Sequence, residues 1–124
     1  KVTGWVAEDL FYDYLSASDV CVNLRYPVEG ETSSVALRSM SYAKPTLVSD
    51  AGSMREWPDD VCIKIRPDNG EVETIYRALY QLSQDAGARR ALGERAQAYT
   101  RRHHTWQAAA QAYYDFLESL VARL

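Results

Sequence analysis

The chain is predicted to fold as an α/β domain, a three-layer α/β/α arrangement with a short parallel sheet and a helical C-terminal tail. Three observations lead there. Short apolar runs at residues 19–24, 46–48 and 61–65 have the length and composition of buried strands. Segments with helical periodicity stand between them, and this alternation builds parallel sheets because parallel neighbours need a crossover. After the turn Pro67-Asp68-Asn69-Gly70 the pattern becomes wholly helical.

Residues 1–6 read as a further strand, and Glu8-Asp9 open a helix whose Leu10, Phe11, Tyr14 and Leu15 share one face. The strand 19–24 then leads into the loop 25–31 at its carboxyl end. A helix over 32–43 is expected to bury Val35, Ala36, Met40 and Ala43, with Ser34, Arg38 and Ser41 as its polar stripe. Lys44-Pro45 stops that helix, and the strand 46–48 ends in Ser49-Asp50-Ala51-Gly52. The strand 61–65 closes the sheet. Three helices complete the chain, one carrying Val72, Ile75, Leu79 and Leu82, one over 88–102 and one over 106–124. Neither repeat nor low-complexity linker divides it, so 1–124 is expected to be a single domain. Its 124 residues, 47% hydrophobic, suffice for one core. The start at Lys1, directly on a strand pattern and without methionine, suggests a piece of a longer protein.

A net charge of −3 with interspersed signs argues against a nucleic-acid partner. No apolar run reaches the ~18 residues of a membrane span, and no leader pattern precedes the first strand, so a cytoplasmic location is expected. Cys21 and Cys62 sit in apolar strand contexts and read as structural thiols, too few for a zinc site. His103-His104 follow Arg101-Arg102 at a helix end, where cations suit the negative end of the dipole. Trp5, Trp57 and Trp106 read as packing residues, and no Ser/His/Asp arrangement or other catalytic residue is assigned.

The chemistry concentrates between residues 25 and 50. Glu29-Gly30-Glu31-Thr32-Ser33 joins a strand end to a helix start, the layout of an anion-binding crevice. Gly30 allows close backbone approach, and Thr32, Ser33 or Ser34 can cap the helix. The ordered set Glu29-Gly30, Met40, Pro45, Gly52 and Glu56, preceded by Ala17-Ser18-Asp19-Val20, resembles the nucleotide-sugar half of retaining GT-B glycosyltransferases of group 1 (family 4-like). Thr32-Ser33 stand where that family mostly has Phe-Gly, and Arg38 where it carries the glutamate that holds the ribose hydroxyls. A guanidinium cannot accept those bonds, but it can pair with a phosphate, with Glu29 or with Glu31, or lie solvated on its helix.

The resemblance implies a Rossmann-like, partial GT-B C-terminal domain. It implies a nucleotide-diphosphate sugar as substrate and sugar transfer to an acceptor with retention and without a metal or cofactor. The donor-binding set is then Glu29, Gly30, Glu31, Thr32, Ser33 and Arg38, with the role of the family's first glutamate open between Glu29 and Glu31. An N-terminal acceptor domain and the family's Arg and Lys on the diphosphate belong to the parent, so the chain alone is expected to be inactive. The parent would be cytoplasmic or peripheral to the inner membrane face. Tyr113, Phe116, Leu117, Leu120 and Leu124 would form a stripe lacking part of its partner, and an exposed sheet edge would favour a homo-oligomer. The alternatives are a non-catalytic, degenerate donor-like module that assembles with a partner protein, and a sugar-nucleotide epimerase.

Overall fold

The computed structural model describes residues 1–123. In order, it contains α1 (Glu8–Ala17), β1 (Cys21–Asn23), α2 (Ser34–Ser41), β2 (Thr46–Ser49), a 3₁₀ turn (Gly52–Glu56), β3 (Ile63–Ile65), α3 (Glu71–Gln84), α4 (Ala86–His103) and α5 (Trp106–Val121). The three strands pair in parallel in the order β1-β2-β3, with Cys21 opposite Thr46 and Leu47 opposite Ile63. The expected α/β class with a short parallel sheet and helical tail is therefore present.

Strand alternation sends Leu47 and Val48 to opposite faces, and each face builds its own core. On one side Val48 packs with Ala36 and Met40 of α2, Met54, Trp57, Val61, Cys62 and Ala96. On the other Leu47 and Ile65 pack with Ala78 and Leu82 of α3 and Leu92 of α4. Burying each large aliphatic side chain contributes about 1.5–3 kcal/mol. Helix α4 supplies residues to both cores because it runs along the amino ends of the strands. There Gln97 donates to the Ser41 carbonyl at 2.8 Å and Arg95 to that of Asp60 at 2.8 Å.

Several expectations are corrected. Residues 1–6 form no strand: Gly4 takes a φ of 67°, which breaks an extended run, and Val2 and Trp5 are exposed. The strand expected at 19–24 shrinks to three residues on the sheet edge, so Val22 is 50% exposed rather than buried. Helix α2 starts at Ser34 and leaves Val35 exposed, and Ala43 stands beyond its end at a φ of 56°. Val61 and Cys62 join the core ahead of β3, whose ladder begins at Ile63. In α3 the buried residues are Ala78 and Leu82, while Val72 lies in solvent in the first turn. Trp57 is core, but Trp106 is exposed, and α5 buries none of its side chains. Leu124, the last member of the expected α5 stripe, lies outside the described residues.

One contact sets the spacing of α2 and α4. A Cβ on Gly93 would run into the carbonyl oxygen of Ala43, the residue that closes α2 in the left-handed region. The Gly93→Ala variant should therefore unfold at lower urea, destabilised by roughly 1–3 kcal/mol from overpacking. Conversely, Ala43→Gly relieves the left-handed strain and should stabilise by up to about 1 kcal/mol. A neutral result for both in urea titrations would overturn this account of the junction.

Candidate functional site

Parallel strands place their carboxyl ends along one edge, opposite the one covered by α4. The register pairs Asn23 with Val48 and Ser49 with Ile65. Continued by one or two residues, it brings Arg25, Asp50 and Arg66 to that edge.

The loop from β1 to α2 is tied at both ends. The Arg25 amide donates to Ser49 Oγ at 2.7 Å. At the other end the buried Ser33 hydroxyl caps α2, accepting from the Ala36 amide at 3.2 Å and from Asn23 Nδ2. One hydroxyl thus joins β1 to the start of α2, and of the three candidate caps the structure uses Ser33. Between the ties Gly30 turns the chain at a φ of 89°, and Val28 packs over Gly52, where a Cβ would run into it.

The two glutamates differ. The Glu31 carboxylate accepts the Glu29 amide at 3.0 Å and stands 3.5 Å from the Arg25 guanidinium, while the Glu31 carbonyl accepts from Ser53 at 3.1 Å. Hydrogen bonds from its own amide and that of Glu29, together with Arg25, hold the Glu31 carboxyl below its ordinary value of 4.5 despite a desolvation push upward. Glu29 and Thr32 are exposed, and no described residue engages the Glu29 carboxylate.

Arg38 does not join this group. Its guanidinium lies 3.7 Å from Glu8 and 6.0 and 5.8 Å from the ring centroids of Phe11 and Tyr12. The pairing with Glu29 or Glu31 considered from the sequence is therefore replaced by an ion pair with α1. Arg38 instead lines a groove of about 460 Å³ with Trp5, Val6, Glu8, Phe11 and Val35. The structure thus brings Glu29, Gly30, Glu31, Thr32 and Ser33 to one place and leaves Arg38 on the α1 side of α2.

Two charged residues at the carboxyl edge, Asp50 and Arg66, were given no role from the sequence. Asp50 lies 3.3 Å from Arg55 and 3.7 Å from Arg66, and its carbonyl accepts from Arg55 at 2.8 Å. Arg66 could have been found from its place directly after a strand, since that is where a parallel sheet presents its ligand-facing residues. Both cysteines are free thiols, and burial pushes Cys62 up to about 11, which keeps it protonated near neutrality. Among the described residues no group of three or more His, Cys, Asp or Glu could hold a metal ion, and no helix is long and apolar enough to cross a membrane.

Against known proteins, the chain is similar in structure to sucrose-phosphate synthase from Thermosynechococcus elongatus, with a TM-score of 0.73 and 22% identity. The match covers 98% of this chain and 30% of that one, so the chain spans under a third of that protein's length. At this identity the likeness shows a shared fold. No protein-family model and no curated protein matches the chain.

Ser33→Ala removes the cap of α2 and the acceptor of Asn23 and should cost about 1–2 kcal/mol in denaturant titrations. The Glu31 contribution to stability is complete above pH 4.5 and is lost as pH falls through its lowered folded value. Glu31→Gln should therefore flatten the stability–pH curve in that acid window alone, and an unchanged acid slope would remove Glu31 from the account.

Proposed function

We propose that the chain is the donor-binding part of a glycosyltransferase, which holds a nucleotide-diphosphate sugar at the carboxyl edge of its sheet for transfer of the sugar with retention. One juxtaposition carries the reading. The capped start of α2 and the Arg25 guanidinium share the loop that bears an unengaged carboxylate, Glu29. In the first turn the Ser34 and Val35 amides have no acceptor within the helix, so a diphosphate set there meets N–H donors and a positive dipole end. The likeness to sucrose-phosphate synthase along nearly the whole chain and the ordered motif around Glu29-Gly30 and Pro45 support the same reading.

The two glutamates then divide the work. Glu31, neutralised by Arg25, shapes the loop without repelling the diphosphate. Glu29 offers two acceptor oxygens to sugar hydroxyls and selects a hexose by them. As the sugar leaves, charge develops on the diphosphate, and the α2 amides, together with the Arg and Lys that the resemblance assigns to the parent, offset it without calling on a metal. Acceptor binding belongs to a part of the parent beyond this domain, so the chain alone turns over no donor. A second reading, a non-catalytic module that assembles with a partner, is favoured by Arg38, which is paired with Glu8 and cannot accept from a ribose.

Ligand-observed NMR with UDP-, GDP- and ADP-sugars tests the proposal. Saturation transfer from one of them is expected, with Glu29→Ala weakening binding roughly tenfold, about one charge-assisted hydrogen bond. Silence with all three, in the chain and in the full-length parent, sinks the donor reading and leaves the module.

A further inference from the structure

Beside the elbow between α4 and α5 lies a second groove, of about 260 Å³, lined by Leu37, Arg38, Ser41, Arg101, His104 and Thr105 with Thr100 beneath. No carboxylate lines it. Arg38 and Arg101 do, and among the described residues Arg101 has no ion-pair partner, while the Arg38 guanidinium reaches toward Glu8, 3.7 Å away. His104 is set edge-on against Trp57 and Tyr99, with centroids 6.2 and 5.3 Å apart. Burial, with a smaller contribution from His103, holds its pKa below the ordinary 6.5, so near neutrality it offers one ring N–H.

Two helix ends meet at the groove, the negative end of α4, offset by Arg101 in its last turn, and the positive end of α5. Thr105 caps α5, accepting from the Ala108 amide at 3.2 Å, so the positive end of a 16-residue helix opens at the groove. Three carbonyls beside the groove are already hydrogen-bonded. That of Ser41 accepts from Gln97 at 2.8 Å, that of Thr100 from the His104 amide at 2.9 Å and that of Arg38 from the Ser41 hydroxyl at 2.8 Å. What remains is a groove lined by two arginines and His104, with no carboxylate, over an apolar floor from Leu37.

We infer that this groove is a binding site for a phosphoryl group, free or carried on a small organic body. Planar guanidiniums match a tetrahedral oxyanion through paired N–H donors, and α5 begins beside the groove at its cap Thr105. The site lies at the C-terminal half of α2, away from the Glu29–Ser33 loop, and stands whether or not that loop binds a nucleotide sugar.

The test is a titration of the full chain followed by NMR at the His104 ring and the Thr105 and Trp106 amides. Inorganic phosphate and glycerol 3-phosphate serve as probes, with chloride at matched ionic strength as the control. Saturable shifts confined to the groove are expected with the probes and not with chloride. Arg101→Ala should weaken them roughly tenfold, the loss of one charge-assisted hydrogen bond, while Arg101→Lys retains part of the affinity. Arg101 is exposed at the end of α4, so unchanged shifts elsewhere establish that the variant is folded. Tighter binding of glycerol 3-phosphate identifies a phosphomonoester site, and equal binding a site for phosphate itself. Shifts that never saturate, that chloride reproduces or that survive Arg101→Ala unchanged overturn the inference.

Discussion

Both hydrophobic cores hang on β2, whose residues Thr46, Leu47, Val48 and Ser49 are each at most 2% exposed. As the central strand it pairs with both neighbours, and its two aliphatic side chains anchor the opposite faces. Its two polar side chains are buried with partners of their own. Thr46 donates to the Lys44 carbonyl at its start, and Ser49 accepts from the Arg25 amide at its end. A polar side chain buried on both sides of a sheet is tolerated only when its hydrogen bonds are met, so Ser49 makes the departure of the β1–α2 loop a condition of burying β2. The position of the candidate site is in this sense a by-product of core packing.

That coupling separates the parts of the loop. Ser33 and Ser49 pin its two ends to buried structure, and Glu31 is tied within it through Arg25 and the Glu29 amide. Glu29 and Thr32 are left to solvent. A site built this way keeps its backbone fixed while the side chains that meet a ligand remain unspent, which lowers the ordering cost of binding.

The β2 and β3 positions, the capped start of α2 and the Pro45 break were legible in the sequence, because each rests on local composition or on a residue with one conformational role. What was not legible depended on neighbours. An apolar run such as residues 19–24 reads the same at the centre of a sheet or at its edge, and only the ladder tells that β1 is the edge. Arg38 sits on the polar stripe its spacing predicts, yet its partner is Glu8, on a helix that packs against α2 only in the folded chain. Val72 fits the period of α3, but the buried face is centred on Ala78 and Leu82 and has run out by the first turn. In the candidate site, the meeting of Arg66 with Asp50 follows from strand register, and that of Arg25 with Glu31 from the turn of their loop at Gly30, neither of which a local pattern encodes.

Helix α5 stands apart from this cooperative unit. It is held by the Thr105 cap and by pairs along its own surface, such as Tyr114 donating to Glu118 at 2.6 Å, and it buries no side chain. Denaturant sensitivity scales with the area that unfolding exposes, and α5 has little left to expose. Its backbone hydrogen bonds therefore open by fraying, on a free-energy scale set by helix–coil equilibrium and not by the cores. In the isolated chain the domain melts as one body and its last helix as another, so amide exchange along α5 would run ahead of exchange in β2 by nearly the whole of the global unfolding free energy.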